Sequence, residues 1–443
     1  MIDKSTIVAI ATPPGRGGIA VVRVSGPDAI RIADAVFRGR RKPSLAPSHT
    51  VLYGTCVDPD TGEEIDEVLI LVMRGPKTYT TEDTVEFQCH GGGVASRRIM
   101  DVVIKAGARP AYPGEFTLRA FIGGRIDLAQ AEAVLDIVSA RTVEEYNVAL
   151  RTARGYFSDR VRGLRRKVID LLTMVEASLD FADEEDISWI TEDEILSRIN
   201  RLEKELESLL SAMERGRVIR AGGKIVIAGP PNAGKSTLFN TLLMEEKAIV
   251  TPEPGTTRDI VEGWLNVGGT PVLLMDTAGL REAKGIVEKM GVEKAKRAVM
   301  EAELVLYVVD GSIPGEVDLM DVDCDCILVL NKMDKGISAK WDRALDWVEI
   351  SAISGEGIDK LIKMIEDKFS PGGGEGEILP GRDRYISAVK RAISLLKDVR
   401  KAPSMDALAS DLRGICSALG ELLGEGIGED VLKEIFSRFC VGK

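Results

Sequence analysis

The segment Lys224-Ile-Val-Ile-Ala-Gly-Pro-Pro-Asn-Ala-Gly-Lys-Ser236 decides the fold of the central part of the chain. An apolar, β-branched run leads directly into the pattern GxxxxGK[ST], and a helical segment follows, so the sequence predicts a strand, a loop and a helix. In such a loop the backbone amides curl around phosphate oxygens, Lys235 reaches the β- and γ-phosphates, and Ser236 ligates Mg²⁺. The segment therefore predicts a nucleoside triphosphate site in a P-loop domain.

Three further segments arrive in the order that a guanine-nucleotide site requires: Asp276-Thr-Ala-Gly279, Asn331-Lys-Met-Asp334 and Ser351-Ala-Ile353. Asp276 ends a strand, where its carboxylate can hold Mg²⁺ through water. The Asp334 carboxylate can accept two hydrogen bonds from guanine N–H groups, an arrangement that adenine lacks, so GTP is preferred over ATP. The predicted GTP-binding residues are Asn232, Ala233, Gly234, Lys235, Ser236, Thr237, Thr251, Thr256, Thr257, Asp276, Thr277, Ala278, Gly279, Asn331, Lys332, Asp334, Ser351, Ala352 and Ile353.

The residue that positions the attacking water departs from the common pattern. Many small GTPases carry Gln directly after the Asp-x-x-Gly tetrad, but this chain has Leu280, whose side chain cannot orient water. Candidates on the following segment are Arg281, Glu282 and Glu288. Asn232 in the phosphate loop has a carboxamide oxygen that can ligate a monovalent cation. Hydrolysis is therefore expected to be organised differently from that in Ras.

Proline placement and apolar spacing divide the chain into four segments. Strand runs separated by helix-length segments predict a parallel α/β domain over residues 219–370. Short β-branched runs between turn clusters predict a small α+β domain over residues 1–119. Apolar residues at three- and four-residue steps predict helices in 120–218 and again in 377–443. The simplest architecture inserts the α/β domain into a bundle formed by the two helical segments.

Composition limits the class of protein. The 443 residues are 44% hydrophobic, which is enough for several cores, and the net charge of −12 excludes a uniformly basic surface of the histone kind. No stretch is long and apolar enough to span a membrane, and the N-terminus lacks the signal-peptide pattern, so a cytoplasmic protein is expected. Six cysteines and two histidines are too few for a disulfide framework or a zinc-site spacing.

Several blocks distributed along the chain resemble one known family. They are Ala11-Thr-Pro-Pro-Gly-Arg-Gly-Gly18, Arg109-Pro-Ala-Tyr-Pro-Gly-Glu-Phe-Thr117, Asp127-Leu-Ala-Gln-Ala-Glu-Ala133, Gly255-Thr-Thr-Arg-Asp259 and Phe439-Cys-Val-Gly-Lys443. On these blocks, together with the GTPase motifs, the whole chain resembles the tRNA-modifying GTPase family MnmE, also called TrmE. The N- and C-terminal blocks are specific, whereas the phosphate loop alone would not be.

The resemblance implies a fold and an activity. It implies an N-terminal folate-binding domain that dimerises, a helical domain and an inserted Ras-like domain, in a homodimer whose paired hydrolysis of GTP is activated by K⁺. It also implies that the partner MnmG (GidA), which contributes FAD, acts with this chain on C5 of the wobble uridine of certain tRNAs. The product would carry an aminomethyl or carboxymethylaminomethyl-type group, and the one-carbon donor would be 5-formyl- or 5,10-methylene-tetrahydrofolate.

The resemblance also implies site residues at the matching positions. The implied folate contacts are Arg23, Glu86, Arg125 and Lys443; Arg125 replaces a lysine common in the family, which keeps the charge but not its point-like geometry. The implied K⁺ ligands are Asn232, Thr251, the Glu253 carbonyl and Thr256, and the implied Mg²⁺ ligands are Ser236 and Thr257. The implied catalytic and switch residues are Glu288, Arg258 and Arg281, and Cys440 is the family's terminal cysteine.

Without the resemblance, plainer interpretations stay open. Arg23 and Glu86 would be exposed edge-strand residues, and Cys440 would be a free thiol in a frayed tail. The basic run 151–167 suits tRNA phosphates and a solvated helix face about equally well. For the whole chain, the alternative function is a regulatory GTPase switch, for instance in ribosome assembly, without chemistry of its own. We also expect the C-terminus to fold back to the folate site, so that Cys440 and Lys443 lie near the pteridine.

Overall fold

The structure, a computed structural model, describes residues 4–180, 191–244, 248–249, 261–276, 299–316, 324–341, 346–369, 376–400 and 404–442. The chain divides into two compact units, residues 1–135 with 419–443 and residues 136–418. The predicted domain boundaries are finer than this division and stay predictions. None of the described helices combines the length and the hydropathy needed to cross a membrane.

The secondary structure alternates between short strands and helices of varied length. The described strands, β1 to β16 in chain order, are Ile7–Ile10, Ile19–Ser25, Phe37–Gly39, Thr50–Val57, Glu64–Met73, Thr84–His90, Arg109–Pro110, Gly223–Ala228, Ala248–Ile249, Val261–Val267, Thr270–Asp276, Leu304–Asp310, Gly315–Glu316, Asp325–Asn331, Ala339–Lys340 and Asp346–Glu349. The described α-helices, α1 to α12, are Ala29–Val36, Gly93–Lys105, Glu115–Ile122, Leu128–Ser139, Val143–Ala153, Tyr156–Asp180, Glu192–Ala221, Lys235–Met244, Ile358–Phe369, Asp383–Val399, Met405–Leu423 and Glu429–Ser437.

The first unit is built on a seven-stranded sheet in the order β3-β4-β5-β6-β2-β1-β7. Side chains alternate along β2, as a strand that is buried on one face requires. Val22 and Val24 are buried in one core with residues of α1 and α2. Arg23, between them, points to the other face, where it lies opposite Glu86 of β6. The alternation thus places this charged pair on the face of the sheet opposite α1 and α2.

The C-terminal helix α12 belongs to the same unit and packs near α3 and α4. Phe436 and Phe439 are buried with Leu128 and Ala131 in an apolar cluster. The Phe436 ring lies 6.4 Å from that of Phe121 and 5.3 Å from that of Phe439. This aromatic contact fixes the last turn of α12 and the chain that leaves it.

The second unit contains the α/β sheet, with strand order β16-β14-β12-β8-β11-β10-β9. Strands β8, β11, β12 and β14 are parallel, as the apolar runs predict. Strands β10 and β9 instead run antiparallel to their neighbours, so the sheet is mixed, and the prediction of a parallel sheet is wrong at this edge. A two-residue turn at Gly268-Gly269, with φ of 57° and 88°, closes the β10–β11 hairpin.

The start of α5 contacts this hairpin within the second unit. Thr142 caps α5 by accepting a hydrogen bond from the Glu145 amide, and its hydroxyl donates one of 2.8 Å to the Gly269 carbonyl. The Arg141 guanidinium lies 4.0 Å from the centre of the Trp264 ring on β10. The hairpin is therefore attached to the helices by both a hydrogen bond and a cation–π contact.

The chain that follows the α/β sheet returns along α7. The Leu379 amide donates a hydrogen bond of 3.1 Å to the Ala212 carbonyl. A Cβ atom on Gly216 would lie 1.7 Å from the Leu379 carbonyl oxygen, and one on Gly381 would lie 1.9 Å from the Arg217 amide nitrogen. Only glycine permits this approach of two backbones, so the returning segment is held closely against the helix.

Candidate functional site

The phosphate-binding loop lies at the carboxyl end of β8, and α8 begins at Lys235 inside the motif. Because β11 is the parallel neighbour of β8, its last residue, Asp276, reaches the same edge of the sheet. There the Ser236 hydroxyl donates a hydrogen bond of 2.7 Å to Asp276 Oδ2. Lys235 is buried, with Nζ 2.8 Å from the Pro230 carbonyl oxygen. The structure thus brings together three residues that the motifs predict to bind phosphate and Mg²⁺.

The base-binding segments meet around Asn331 at the end of β14. Its amide nitrogen donates a hydrogen bond of 2.8 Å to the carbonyl of Ala233 in the phosphate loop. Its amide oxygen accepts one of 3.0 Å from the Ala352 backbone N–H. The Ser351 hydroxyl donates one of 2.8 Å to Asp334 Oδ1. One side chain therefore holds three separate segments in register at the predicted guanine site.

Lys332 has a further partner that the sequence did not indicate. Its ammonium lies 2.6 Å from Asp310 Oδ2 and 2.8 Å from the Asn232 carbonyl oxygen. Burial opposes ionisation of Asp310, but hydrogen bonds from Lys332 and Ser312 hold the pKa of its carboxyl below the usual value. Asp310 ends β12 just as Asp276 and Asn331 end their strands. Its position at the carboxyl end of a strand, like those of Asp276 and Asn331, could have identified Asp310 as a site residue.

Of the remaining residues predicted for the nucleotide site, some are described by the structure and others lie outside the described residues. Asn232 has a positive φ of 59° in the phosphate loop, and Gly234 has one of 93°. Thr237, in the first turn of α8, and Ile353, next to Ala352, are exposed. Many predicted residues lie outside the described residues: Thr251, Glu253, Thr256, Thr257, Arg258, Thr277, Ala278, Gly279, Leu280, Arg281, Glu282, Glu288 and, at the end of the chain, Lys443.

A second cluster of predicted residues lies in the first unit. Arg23 Nε donates a hydrogen bond of 2.7 Å to Glu86 Oε1. Arg23 Nη1 donates one of 3.2 Å to the carbonyl of Gly442, from the opposite end of the chain. The Arg23 guanidinium also lies 5.7 Å from the centre of the Phe116 ring. The C-terminal tail, residues 439–442, thus folds back to the Arg23–Glu86 pair, as the sequence analysis predicts. Cys440, within this tail, is exposed.

Tyr79 connects this pair to Arg125. Arg125 Nη1 donates a hydrogen bond of 2.8 Å to the Thr78 carbonyl, and its guanidinium lies 5.2 Å from the centre of the Tyr79 ring. Burial raises the pKa of Tyr79, while a hydrogen bond with Thr117 and the charges of Arg23 and Arg125 oppose the rise. Arg23 and Arg125 therefore both act on one aromatic side chain.

Sequence reasoning missed Tyr79 and Phe116 as members of this cluster. Both lie in loops or helix starts where no periodic pattern distinguishes them, although Phe116 falls in one of the blocks quoted above. Phe116 is fully buried beneath the cluster, while Arg23, Glu86, Arg125 and Tyr79 are at least partly exposed and form a surface with charged groups and one aromatic ring. Such a surface can bind a flat heterocycle through stacking and charge-assisted hydrogen bonds.

Comparisons with known proteins agree over nearly the whole chain. The family model described as MnmE helical domain matches residues 128–440, and that described as GTP-binding protein TrmE N-terminus matches residues 6–125. The tRNA modification GTPase MnmE of Bacillus licheniformis is 40% identical over 457 residues, which cover 99% of this chain and 100% of that protein. The protein of the same name from Acetivibrio thermocellus is 40% identical over 461 residues and covers 100% of both chains. Among solved structures, Aquifex aeolicus Era bound to GDP and AlF4⁻ is 28% identical over 39% of this chain and 66% of that chain, with a TM-score of 0.26.

Proposed function

Because this chain belongs to the MnmE family of tRNA modification GTPases, it is a GTP hydrolase, and we propose that it modifies C5 of the wobble uridine of certain tRNAs together with MnmG. The observation that carries the proposal is the Arg23–Glu86 cluster with the C-terminal tail on it. A GTP-driven switch alone has no use for this cluster. The product would be an aminomethyl or carboxymethylaminomethyl-type uridine.

The residues at the end of β8 fit Mg²⁺ and GTP. Ser236 and Asp276 place a hydroxyl and a carboxylate oxygen 2.7 Å apart, and hard oxygen ligands are those that Mg²⁺ prefers. When bound, Mg²⁺ neutralises charge on the β- and γ-phosphates. Lys235 binds the same phosphates, and Asp334 accepts hydrogen bonds from guanine. Thr257 would complete the Mg²⁺ ligands.

The Arg23–Glu86 cluster fits a tetrahydrofolate derivative. A pteridine ring has N–H groups along one edge, and the Glu86 carboxylate can accept hydrogen bonds from them. The partly exposed Tyr79 ring offers an aromatic face beside it. Arg125 would supply positive charge for the glutamate carboxylates, and Lys443 would lie near the pteridine. The folate would supply the one-carbon unit, as a 5-formyl or 5,10-methylene derivative. FAD would enter only with MnmG.

For GTP hydrolysis we assign Glu288 to the positioning of water and Arg258 and Arg281 to the switch segments. Asn232 lies in the phosphate loop with an exposed carboxamide, whose oxygen is a suitable K⁺ ligand. Thr251, Glu253 and Thr256 would supply the other oxygens. When bound there, K⁺ would contribute positive charge next to the phosphates, in place of an arginine.

An exposed apolar surface on the first unit supports a homodimer. Val51, Tyr53 and Leu69 on β4 and β5 are 56%, 64% and 42% exposed. The strand register puts them on the same face of the sheet as Arg23 and Glu86. Neighbouring apolar side chains on one open sheet face are typical of a protein interface. We propose that a second copy covers this face beside the folate site.

The wobble-uridine nucleosides of a strain that lacks the gene test the proposal. We expect the modified uridine to be absent, and to be restored by the wild-type chain and by the control Glu63→Gln, whose side chain is 60% exposed. Glu86→Gln should not restore it. An unchanged nucleoside profile in the deletion strain would favour the regulatory switch instead.

Ligand-induced stabilisation separates the two sites. GTP with Mg²⁺ and 5-formyltetrahydrofolate should each raise the melting temperature of the purified chain, because each binds only the folded state. Glu86→Gln should lose the folate-induced rise and keep the GTP-induced rise. Loss of both rises, or of neither, would contradict the assignment of Glu86.

A further inference from the structure

The C-terminal tail is held at two points by close backbone contacts. At its start, a Cβ atom on Gly114 would lie 2.6 Å from the Phe436 carbonyl oxygen and 3.0 Å from Phe439 Cβ. At its end, a Cβ atom on Gly442 would lie 2.8 Å from the Ile10 carbonyl oxygen. The distances of 2.6 Å and 2.8 Å are shorter than a real Cβ atom tolerates, so each of the two contacts requires a glycine: Gly114 at the start of the tail and the tail's own Gly442 at its end.

The backbone conformation adds to this requirement. Gly114 has a φ of 68° and Gly442 one of 97°, where a residue with a side chain is strained. The Phe436 carbonyl that faces Gly114 also accepts the amide of Phe439 at 3.1 Å and so ends α12. A displacement of that carbonyl therefore moves the first residue of the tail directly.

The segment that begins at Gly114 also contributes to the Arg23 cluster. Two and three residues later, Phe116 lies under the Arg23 guanidinium, and the Thr117 hydroxyl is 2.9 Å from that of Tyr79. Between Phe439, at the first contact, and Gly442, at the second, only Cys440 and Val441 remain. The location of Cys440 relative to Arg23 is thus set by Gly114 on one side and Gly442 on the other.

We propose that Gly114 is a positioning residue for tRNA modification: its bare Cα face seats the end of α12 and thereby holds the tail that carries Cys440 against Arg23. The catalytic consequence rests on the proposed function, whereas the seating of the tail does not. Gly114 lies in the first unit, whereas the predicted GTP-binding residues belong to the second. Its substitution should therefore separate modification from GTP hydrolysis.

The test compares Gly114→Ala with Gly62→Ala in the full-length chain. Gly62 has a similar φ of 74°, but a Cβ atom there would meet nothing within 4 Å. The control therefore introduces the same backbone strain without the clash. Hydrogen exchange, read by mass spectrometry on the C-terminal peptide, reports the seating of residues 436–442. Exchange should accelerate about tenfold or more in Gly114→Ala and stay unchanged in Gly62→Ala.

Activity assays on the same proteins complete the experiment. GTP hydrolysis of Gly114→Ala should stay within about twofold of wild type, while the rate of uridine modification at saturating folate falls about tenfold or more. Gly442→Ala changes only the end of the chain, and it should reproduce both effects even where Gly114→Ala folds poorly.

Two results would overturn the proposal: unchanged exchange at the tail in both Gly114→Ala and Gly442→Ala, or equal acceleration in Gly62→Ala. If the tail exchanges faster as expected but the wild-type chain modifies no uridine, the seating stands and the proposed function is wrong. The two failures are therefore distinguishable.

Discussion

Asp334 shows how a single side chain acquires its role from its neighbours. One carboxylate oxygen accepts a hydrogen bond of 2.8 Å from Ser351, which fixes the orientation of the group. Asn331, three residues earlier, ties the same loop to the phosphate loop through Ala233. The carboxylate is thus preorganised to accept hydrogen bonds from guanine N–H groups.

We expect Asp334→Asn to change the base that the site prefers. The substitution replaces one acceptor by a donor, so xanthine, which has a carbonyl where guanine has its amino group, becomes the better base. GTP affinity should fall about 10- to 100-fold and XTP affinity should rise, as titration calorimetry can measure. Asp325→Asn, at the opposite end of β14, is the control. Equal GTP affinity in wild type and Asp334→Asn would contradict the prediction.

Glu115 predicts how stability depends on pH. Burial opposes its ionisation, but hydrogen bonds from Arg109, the Tyr112 amide and Arg119 hold the pKa of its carboxyl below the usual value. A lowered pKa in the folded state means that the stabilisation is complete above the unfolded pKa, near 4.5, and is lost as pH falls through the folded value.

We therefore expect Glu115→Gln to be less stable than wild type by about 3 kcal/mol at pH 7, because the buried Arg119 loses a counter-charge. The difference should shrink as pH falls from 4.5 towards the lowered folded pKa, since the unfolded wild-type chain then takes up a proton at Glu115 that folding must release. Denaturant unfolding at several pH values measures it, with Glu63→Gln as the exposed control. A difference that is independent of pH would show that charge is not its cause.

At the scale of helices and strands, one residue at the start of α5, Thr142, makes both a helix-capping hydrogen bond and a tertiary hydrogen bond. Thr142 caps the helix and also bonds to the hairpin carbonyl of Gly269. Thr191 caps α7 in the same way, by accepting from the Glu194 amide. Within the described part of the chain, the Thr191 hydroxyl makes no hydrogen bond to another helix or strand.

The two caps give a matched pair of substitutions. Thr191→Ala should cost about 1 kcal/mol, the usual value of an N-cap, and Thr142→Ala about 2 kcal/mol, because it also leaves the Gly269 carbonyl without this donor. Chemical denaturation of the full chain measures both. Equal losses would indicate that the bond to the hairpin contributes nothing.

The sequence predicted the positions of helices and strands better than it predicted which strands pair and in which direction. Apolar spacing located α6 and α7, and β-branched runs located β8, β11, β12 and β14, because periodicity is a local property. The antiparallel strands β9 and β10 were missed, since a strand's pattern does not encode the direction of its partner. Tyr79 and Asp310 were missed for a related reason: each gains its place only from residues distant in sequence.

At the scale of the whole molecule, hydrolysis is expected to depend on a cation and on a second copy. Leu280 cannot orient water, and Asn232 offers an oxygen in the phosphate loop. The segment from Thr251 to Thr257, which is proposed to supply the other oxygens, lies outside the described residues. Pairing of two G domains would hold that segment in place.

We therefore expect GTP hydrolysis to be roughly tenfold or more faster in K⁺ than in Na⁺, because the larger ion suits a cage of several neutral oxygens. Asn232→Ala should lose this difference, whereas Asn240→Ala, an exposed amide on α8, should keep it. Steady-state rates at several protein concentrations also show whether pairing is required. Equal rates in the two salts would point to Arg258 or Arg281 in place of the cation.

The contact of the returning segment with α7 determines where the fold can tolerate an insertion or a deletion. The hydrogen bond from Leu379 to Ala212, and the glycines at 216 and 381, keep the two ends of a long excursion side by side. A segment whose ends meet can be gained or lost by the surrounding fold with no change in its backbone path. The α/β sheet therefore lies between two points of the chain that are in contact with each other. Loss of the α/β sheet at this point would therefore leave α7 and the returning segment in contact.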